Sequence, residues 1–569
     1  MSETITEMPK TGAPRLIHQR GWGFSWLSLA ALFIALIIAS PIAAVGIQGL
    51  GAEPGGWAQL WNTVLPRYLI NSFWLVLGVG LGVTFCGTCA AWFVTMCKFP
   101  GRRFFEWALI LPLAVPAYVI AYAYTDFLQH SGPVQTLLRD LTGWGPRDYW
   151  FPNVRSLPGA IAMFTLVLYP YVYLLARAAF LQQSACVIEV ARTLGATPLR
   201  AFTRVALPLA RPAIAGGAAL ALMETLADFG TVAHFSVQTF TTGIYRAWFS
   251  FGDRPLAAQL ALTLLLIVVL LITVERMARG RAEYHLSSER YRALPVFELT
   301  GLKALGAIVG CSLPIILGFA LPGLILLDMA LGNGHNLFSS RYLTLTLNSV
   351  TLAGIAAILA VILATGLLYA QRLGPGAIAH LSVRLSGLGY AVPGSIIAIG
   401  ILIPLAAFDN ALDARMRTHM GISTGLLLTG TITALIFAYL VRFLTIALQS
   451  VDAGLHKITP NMEAAARSLG AGRWRTLTHV HLPLLRGGLA TAGLIVFVEV
   501  MKELPATLLM RPFNFDTLAV QAYRLASDER LTEASTAALM IVAVAILPVI
   551  LLTRDIAHSR PGHRKDNKS

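Results

Sequence analysis

Charge is scarce in this chain. Asp, Glu, Lys and Arg make up 12% of its 569 residues, about half the share carried by a soluble domain, while 56% are apolar and mean hydropathy is +0.68. That balance excludes an ordinary soluble enzyme or binding module. Also missing is any Gly-x-x-x-x-Gly-Lys-[Ser/Thr] phosphate loop, so ATP binding and hydrolysis cannot be expected of this chain itself. There is no His-Glu-x-x-His zinc motif either, and the chain is read as no hydrolase. Cysteines are few: Cys86, Cys89, Cys97, Cys186 and Cys311. Cys86 and Cys89 make a Cys-x-x-Cys inside an apolar run, where small residues packing a helix face explain them better than metal or redox use.

What is present is hydrophobic length. Apolar runs of about 20 residues, enough to cross a bilayer core as helices, recur at 24–48, 69–95, 106–127, 156–180, 212–234, 256–278, 303–329, 346–370, 384–405, 423–448, 487–508 and 534–553. Twelve spans make this an all-α polytopic membrane protein. The first run is too long for a signal-peptide core and is expected to stay as a span. The net charge of +15 does not describe a nucleic-acid surface, because the basic residues sit at span ends. Lys10, Arg15 and Arg20 precede the first span, and Arg276, Arg279, Arg281, Arg290, Arg292 and Lys303 crowd the middle. The positive-inside pattern places both termini in the cytoplasm, although Arg139, Arg147, Arg155, Arg511, Arg524 and Arg530 dilute it on the other side.

The chain also repeats itself. Glu189-Val190-Ala191-Arg192-Thr193-Leu194-Gly195 is followed thirteen residues after its glycine by Pro208; Glu463-Ala464-Ala465-Ala466-Arg467-Ser468-Leu469-Gly470 is followed at the same distance by Pro483. The step from Asn71 to Pro116 is 45 residues, as is that from Asn348 to Pro393, and both prolines end an Ala-Val-Pro. Glu224 and Glu499 each follow their Leu-Pro by sixteen residues, and Asp228 and Glu503 come four later. Two homologous halves of six spans each return to one side, so they insert in parallel, and a pathway at their interface is a common transporter plan. The expected division is 1–66 (N-terminus, first span, outer loop), 67–278 (first transmembrane domain), 279–344 (linker, seventh span, outer loop), 345–553 (second transmembrane domain) and 554–569 (tail).

Each repeated polar loop reads as helix, glycine turn, helix. Gly195 and Gly470 suit the left-handed stop of a short helix, and Thr197-Pro198 suits an N-cap followed by proline in the first turn. One face carries Leu194, Leu199 and Phe202, or Leu469, Trp474 and Leu477; the other carries arginines. A unit this small is no domain, but it can enter a groove on another protein. A plain amphipathic connector explains one copy, and two copies with one Gly-to-Pro spacing less well.

Glu-Ala-Ala, then Gly, then Leu-Pro resembles the signature loop of the permease subunits of binding-protein-dependent ABC importers, and the resemblance runs from about Arg67 to about 553. It implies coupling helices that dock into two copies of a separate ATPase subunit, with ATP used by that partner. It implies a periplasmic substrate-binding protein and a location in the bacterial inner membrane. Carried over residue by residue, the motif falls on Glu189, Ala191 and Gly195, and on Glu463, Ala465 and Gly470. The second copy departs by one place: six residues before its glycine stands Ala464, with Glu463 one earlier.

The acids within the spans point to cargo. Glu224 and Asp228 share a helix face, as do Glu499 and Glu503, and a charge at membrane depth costs of order a few kcal/mol. Four carboxylates brought to one axis suit a hard cation with a taste for oxygen, which makes all four candidate metal and pathway residues; Tyr118, Tyr122, Tyr124, Tyr169, Tyr171 and Tyr173 add phenols nearby in sequence. Pairing is the plainer account: Lys502 adjoins Glu503, and Arg177 and Arg442 are read as lying near the inner ends of their spans. The stretches Glu224-Thr225-Leu226-Ala227-Asp228-Phe229-Gly230 and Lys502-Glu503-Leu504-Pro505-Ala506-Thr507 resemble fused permeases for ferric iron, which favours iron over thiamine, polyamine or phosphonate. A secondary transporter driven by an ion gradient would share the twelve spans but would not need two matching docking loops.

Overall fold

The computed structural model describes residues 26–51, 54–145, 147–182, 193, 197–279, 297–333, 339–374, 376–455 and 458–558. Its principal helices are α1 (Trp26–Leu50), α2 (Leu65–Met96), α3 (Ala117–Leu128), α4 (Leu157–Gln182), α5 (Leu207–Ala227), α6 (Arg254–Arg279), α7 (Leu302–Ile315), α8 (Leu321–Asn333), α9 (Ser340–Leu373), α10 (Gly394–Met420), α11 (Ile432–Leu455), α12 (Pro460–Ser468), α13 (Leu482–Met501) and α14 (Leu531–His558). Among the described residues ten helical stretches are long and apolar enough to cross a membrane, and the pair Arg102–Ala114 with Ala117–Thr142, bent by 89°, makes an eleventh. The predicted twelfth span falls in α14, whose apolar stretch Leu531–Ile546 is shorter. Extended structure is confined to one parallel pairing of Cys97–Lys98 with Phe297–Glu298 among these residues.

Four predicted straight spans are broken, and the sequence supplies the reasons. A residue before proline is pushed out of the helical region. Val115 and Val392, in the two Ala-Val-Pro repeats, are extended, each with ψ 123°, so a short helix and a 3-10 turn precede α3 and α10 alike. The predicted spans 212–234 and 487–508 stop at Ala227 and Met501, and short helices Gly230–His234 and Pro505–Met510 come next. The acids Asp228 and Glu503 therefore stand at breaks in the membrane rather than on a continuous helix face.

Each half is built on three mutually packed helices: α2, α4 and α5 in the first, α9, α11 and α13 in the second. The equivalence reaches single hydrogen bonds. Asn71 Nδ2 donates to the Gln238 carbonyl at 2.8 Å, and Asn348 Nδ2 to the Asp516 carbonyl at 3.1 Å. The halves also exchange helices. α1 lies against α10 and the short helix Ala377–Ser386 of the second half, while α7 lies against α2, α8 against α3, and the Ile316–Ala320 turn between them against α4 of the first. α6 packs on α10 and α14 on α3 in the same crossed sense.

Candidate functional site

The breaks bring the predicted acids together. A cavity of about 70 Å³ lies between the halves, lined by Glu224 and Asp228 from the first and by Arg442, Glu499, Lys502 and Glu503 from the second, with Tyr118 and Tyr171 in its wall. Arg442 is not at a span end as the sequence suggested. It is the eleventh of 24 residues in α11 and is 5% exposed. Its Nη1 donates to Glu503 Oε1 at 3.1 Å and its Nη2 to Glu224 Oε2 at 3.3 Å. One guanidinium thus bridges a carboxylate from each half, a geometry suited to its planar fork. Lys502 Nζ pairs with Glu499 Oε1 at 2.8 Å.

Two of the acids also hold the broken helices. Asp228 Oδ1 accepts from Thr231 N at 2.8 Å. Glu503 accepts from Ala506 N at 2.9 Å, Thr507 N at 3.0 Å and Thr507 Oγ1 at 2.7 Å. Each satisfies orphan donors at the start of the next short helix. Among the described residues no three His, Cys, Asp or Glu side chains are placed to hold a metal ion; Glu224 and Glu503 pair with Arg442, and Glu499 with Lys502. Of the six tyrosines singled out in the sequence, only Tyr118 and Tyr171 line the cavity. Tyr124 donates to the Leu317 carbonyl and Tyr173 to the Glu106 carbonyl. Cys86, Cys89, Cys97 and Cys311 are free thiols, and Cys186 lies outside the described residues.

The Ala-Val-Pro repeat has a purpose here. Gly394 comes directly after it, and a Cβ built on Gly394 would stand 2.6 Å from Glu503 Oε1 and 2.9 Å from Arg442 Nη1. The missing side chain is what lets α10 begin against the buried ion pair. Gly394→Ala is expected to cost about 1–3 kcal/mol by overpacking, measured as the shift in a denaturant titration of the purified chain; an unshifted curve would show that the pair can yield without penalty.

Beyond Asp228 lies a larger cavity of about 580 Å³, lined by Phe229, Tyr245, Arg246, Leu508, Arg511 and Tyr523 among others. Phe229 stacks on Tyr245 with ring centroids 3.7 Å apart. On the face opposite the repeated loops, Arg155 of the first half forms a two-pronged ion pair with Glu529 of the second, both bonds 2.8 Å. That hydrogen bonding holds the Glu529 carboxyl below its ordinary value. The folded value is the depressed one, so the pair's contribution is complete above the ordinary carboxylate range and fades as pH falls through the lowered value. The Glu529 side chain is 65% exposed, which keeps the contribution under about 1 kcal/mol. The stability difference between wild type and Glu529→Gln should be small at pH 7 and vanish near pH 3; a difference that grows with acid contradicts this account.

The second repeated loop has the predicted form. α12 ends at Ser468, and Gly470 is left-handed with φ +77°. Ala471 N reaches back to the Ala466 carbonyl at 3.0 Å, a glycine-stopped helix end. Leu469 and Trp474 stand 87% and 75% exposed. Glu463 turns inward instead. Arg372 Nε donates to its carboxylate at 2.5 Å and His481 Nε2 lies 3.1 Å from the same oxygen, while Arg372 also donates to the Leu455 and Ile458 carbonyls. Glu463 therefore ties the loop to α9 and to the turn before α13, and the outward surface is apolar and basic. Ala465 is exposed beside it. In the first loop Glu189, Ala191 and Gly195 lie outside the described residues; Thr197 Oγ1 caps Arg200 N at 3.4 Å, as its Thr-Pro pair predicted.

Comparison with known families decides what this arrangement is. The family described as binding-protein-dependent transport system inner membrane component matches residues 84–280 and 362–559, once in each half. The chain belongs to that family. Permeases similar to it include the Fe(3+)-transport system permease protein FbpB 2 of Haemophilus influenzae, 28% identical over 93% of this chain and 98% of that one. The ferric transport system permease protein FbpB of Actinobacillus pleuropneumoniae is 27% identical over 81% of this chain and 66% of its own length. The molybdenum transport system permease protein ModB of Escherichia coli is 27% identical over 38% of this chain and 93% of its own, so a stretch shorter than half of this permease spans nearly all of that one.

Two features of the permease escaped the sequence. Arg442 as the shared partner of Glu224 and Glu503 was one of them, since in sequence it read as a cation near the inner end of a span. A Gly-x-Ser-x-Gly spacing, Gly421-Ile422-Ser423-Thr424-Gly425, was also overlooked. It folds as the irregular turn after α10, not as a strand-to-helix elbow. Its Ser423 hydroxyl donates to Asp413 at 3.0 Å and accepts from Arg417 at 2.8 Å, an arrangement that serves the turn.

Proposed function

We propose that this permease carries ferric iron, handed over by a periplasmic binding protein, through the interface of its two halves into the cytoplasm, driven by two copies of a separate ATPase subunit. The observation that supports iron most is the acidic chamber between the halves, in a chain matched over most of its length by relatives that carry ferric-transport names. An oxygen-rich, net acidic constriction favours a hard cation over sugars or oxyanions. Both repeated loops face the cytoplasm in this reading, with both termini on the same side, as the positive-inside pattern suggests. ATP binding draws the loops together, and the halves rock between outward-open and inward-open states.

The test is uptake by the complex of permease, ATPase and binding protein in vesicles. Radiolabelled ferric iron should accumulate only with ATP and binding protein present, and excess thiamine or polyamine should not compete. Competition by either would replace the substrate; accumulation by the permease alone on an ion gradient would replace the mechanism.

A further inference from the structure

We propose that Arg442 is a tethered counter-ion: it occupies the acidic chamber between the halves in the absence of cargo, and a multivalent cation must displace it from Glu224 and Glu503 to pass. The inference rests on the cation reading of the permease and assigns the specificity-determining residue within it.

Four observations meet at this point. The chamber holds four carboxylates, Glu224, Asp228, Glu499 and Glu503, and only two cations, Arg442 and Lys502, so with all six ionised it carries two negative charges in excess. Lys502 is committed to Glu499, a neighbour on its own segment. Arg442 instead joins Glu224 across the half interface to Glu503, so it is the cation whose partners separate when the halves rock. The chamber also retains unused capacity. The Tyr118 hydroxyl, on a residue 3% exposed in the chamber wall, has no hydrogen-bond partner, and neither has Arg442 Nε.

A buried charge is tolerated only while it is paired. Opening the interface breaks the contact between Arg442 and Glu224, and leaves a carboxylate at membrane depth that a cargo cation satisfies. A hard cation gains the carboxylates together with the idle phenol oxygen. A neutral solute offers nothing to replace the guanidinium, and an anion meets the excess negative charge. The same residue thereby closes the path at rest and selects what reopens it.

The test needs no transport. Terbium(III) is a hard trivalent probe that tyrosine sensitises, and it is titrated into the purified, full-length permease in detergent. Arg442→Gln should bind terbium(III) at least tenfold more tightly than wild type, and the gain should disappear in Glu224→Gln/Arg442→Gln. Arg442→Lys keeps the charge but cannot bridge two carboxylates as the fork does; it should gain about threefold and serves if the glutamine variant does not fold. Equal affinity in wild type and the folded variants, or a gain that survives loss of Glu224, overturns the counter-ion. Vesicle uptake separates this from the identity of the cargo. Tighter terbium(III) binding in a complex that moves no iron upholds the counter-ion and removes iron. Normal iron uptake with unchanged terbium(III) affinity upholds iron and removes the counter-ion.

Discussion

Glu503→Leu should cost the folded permease about 3–5 kcal/mol, the usual penalty for stranding a buried charge. Glu503 is 4% exposed and supports two structures at once. It pairs with Arg442 and it caps Pro505–Met510 through Ala506 N, Thr507 N and Thr507 Oγ1. Losing it leaves the guanidinium with Glu224 alone, at 3.3 Å, and frees two backbone donors. Unfolding in graded sodium dodecyl sulfate, monitored by tyrosine and tryptophan fluorescence, reads the loss. The double variant Glu503→Leu/Arg442→Leu should regain part of it, because removing both partners is less harmful than removing one. A loss below about 1 kcal/mol, or a double variant no better than the single, would show that the pair is not what holds the break.

The second large effect is on coupling. Nothing lies within 4 Å of a Cβ built on Gly470, so a side chain there meets only the backbone's own resistance at φ +77°. A β-branched residue cannot hold that conformation without a cost of about 1–3 kcal/mol. Gly470→Val should therefore unwind the stop and displace Leu469 and Trp474, the exposed apolar pair beside it. Transport per ATP hydrolysed is expected to fall tenfold or more, while the chain stays folded. Gly470→Asn should keep most of the coupling, since asparagine tolerates the left-handed region. Normal stoichiometry in Gly470→Val would detach this loop from the motor.

Much of the fold was legible because the membrane leaves so few options. A backbone in lipid must satisfy its own hydrogen bonds, so long apolar runs become helices, and the repeat of Asn71 and Asn348, or of the two Ala-Val-Pro segments, transfers structure from one half to the other. The convergence of Glu224, Asp228, Glu499 and Glu503 was implied by that symmetry. What remained hidden was pairing over long sequence distance. Glu224 and Arg442 are 218 residues apart, and nothing in local spacing announces their contact. The helix breaks were missed for a different reason. Leu226–Ala227 and Val500–Met501 are apolar like the residues before them, and periodicity does not register a turn whose only marker is an acid capping the next short helix. The partner of Glu463 was hidden in the same way as that of Glu224: Arg372 stands 91 residues earlier in the chain.

The crossed placement of α1 on the second half and of α7 and α8 on the first assigns a task to the covalent fusion. Because each half clasps the other through packing, the connection around 280–296 is not needed to hold them side by side. What it enforces is unlike partnership. Two copies of the first half would face each other with Glu224 and Asp228 twice over and no Arg442; two copies of the second would bring a pair of Arg442 and Lys502 cations with their own acids. Only the mixed pairing gives one guanidinium shared by both sides, and a single polypeptide guarantees it at every assembly.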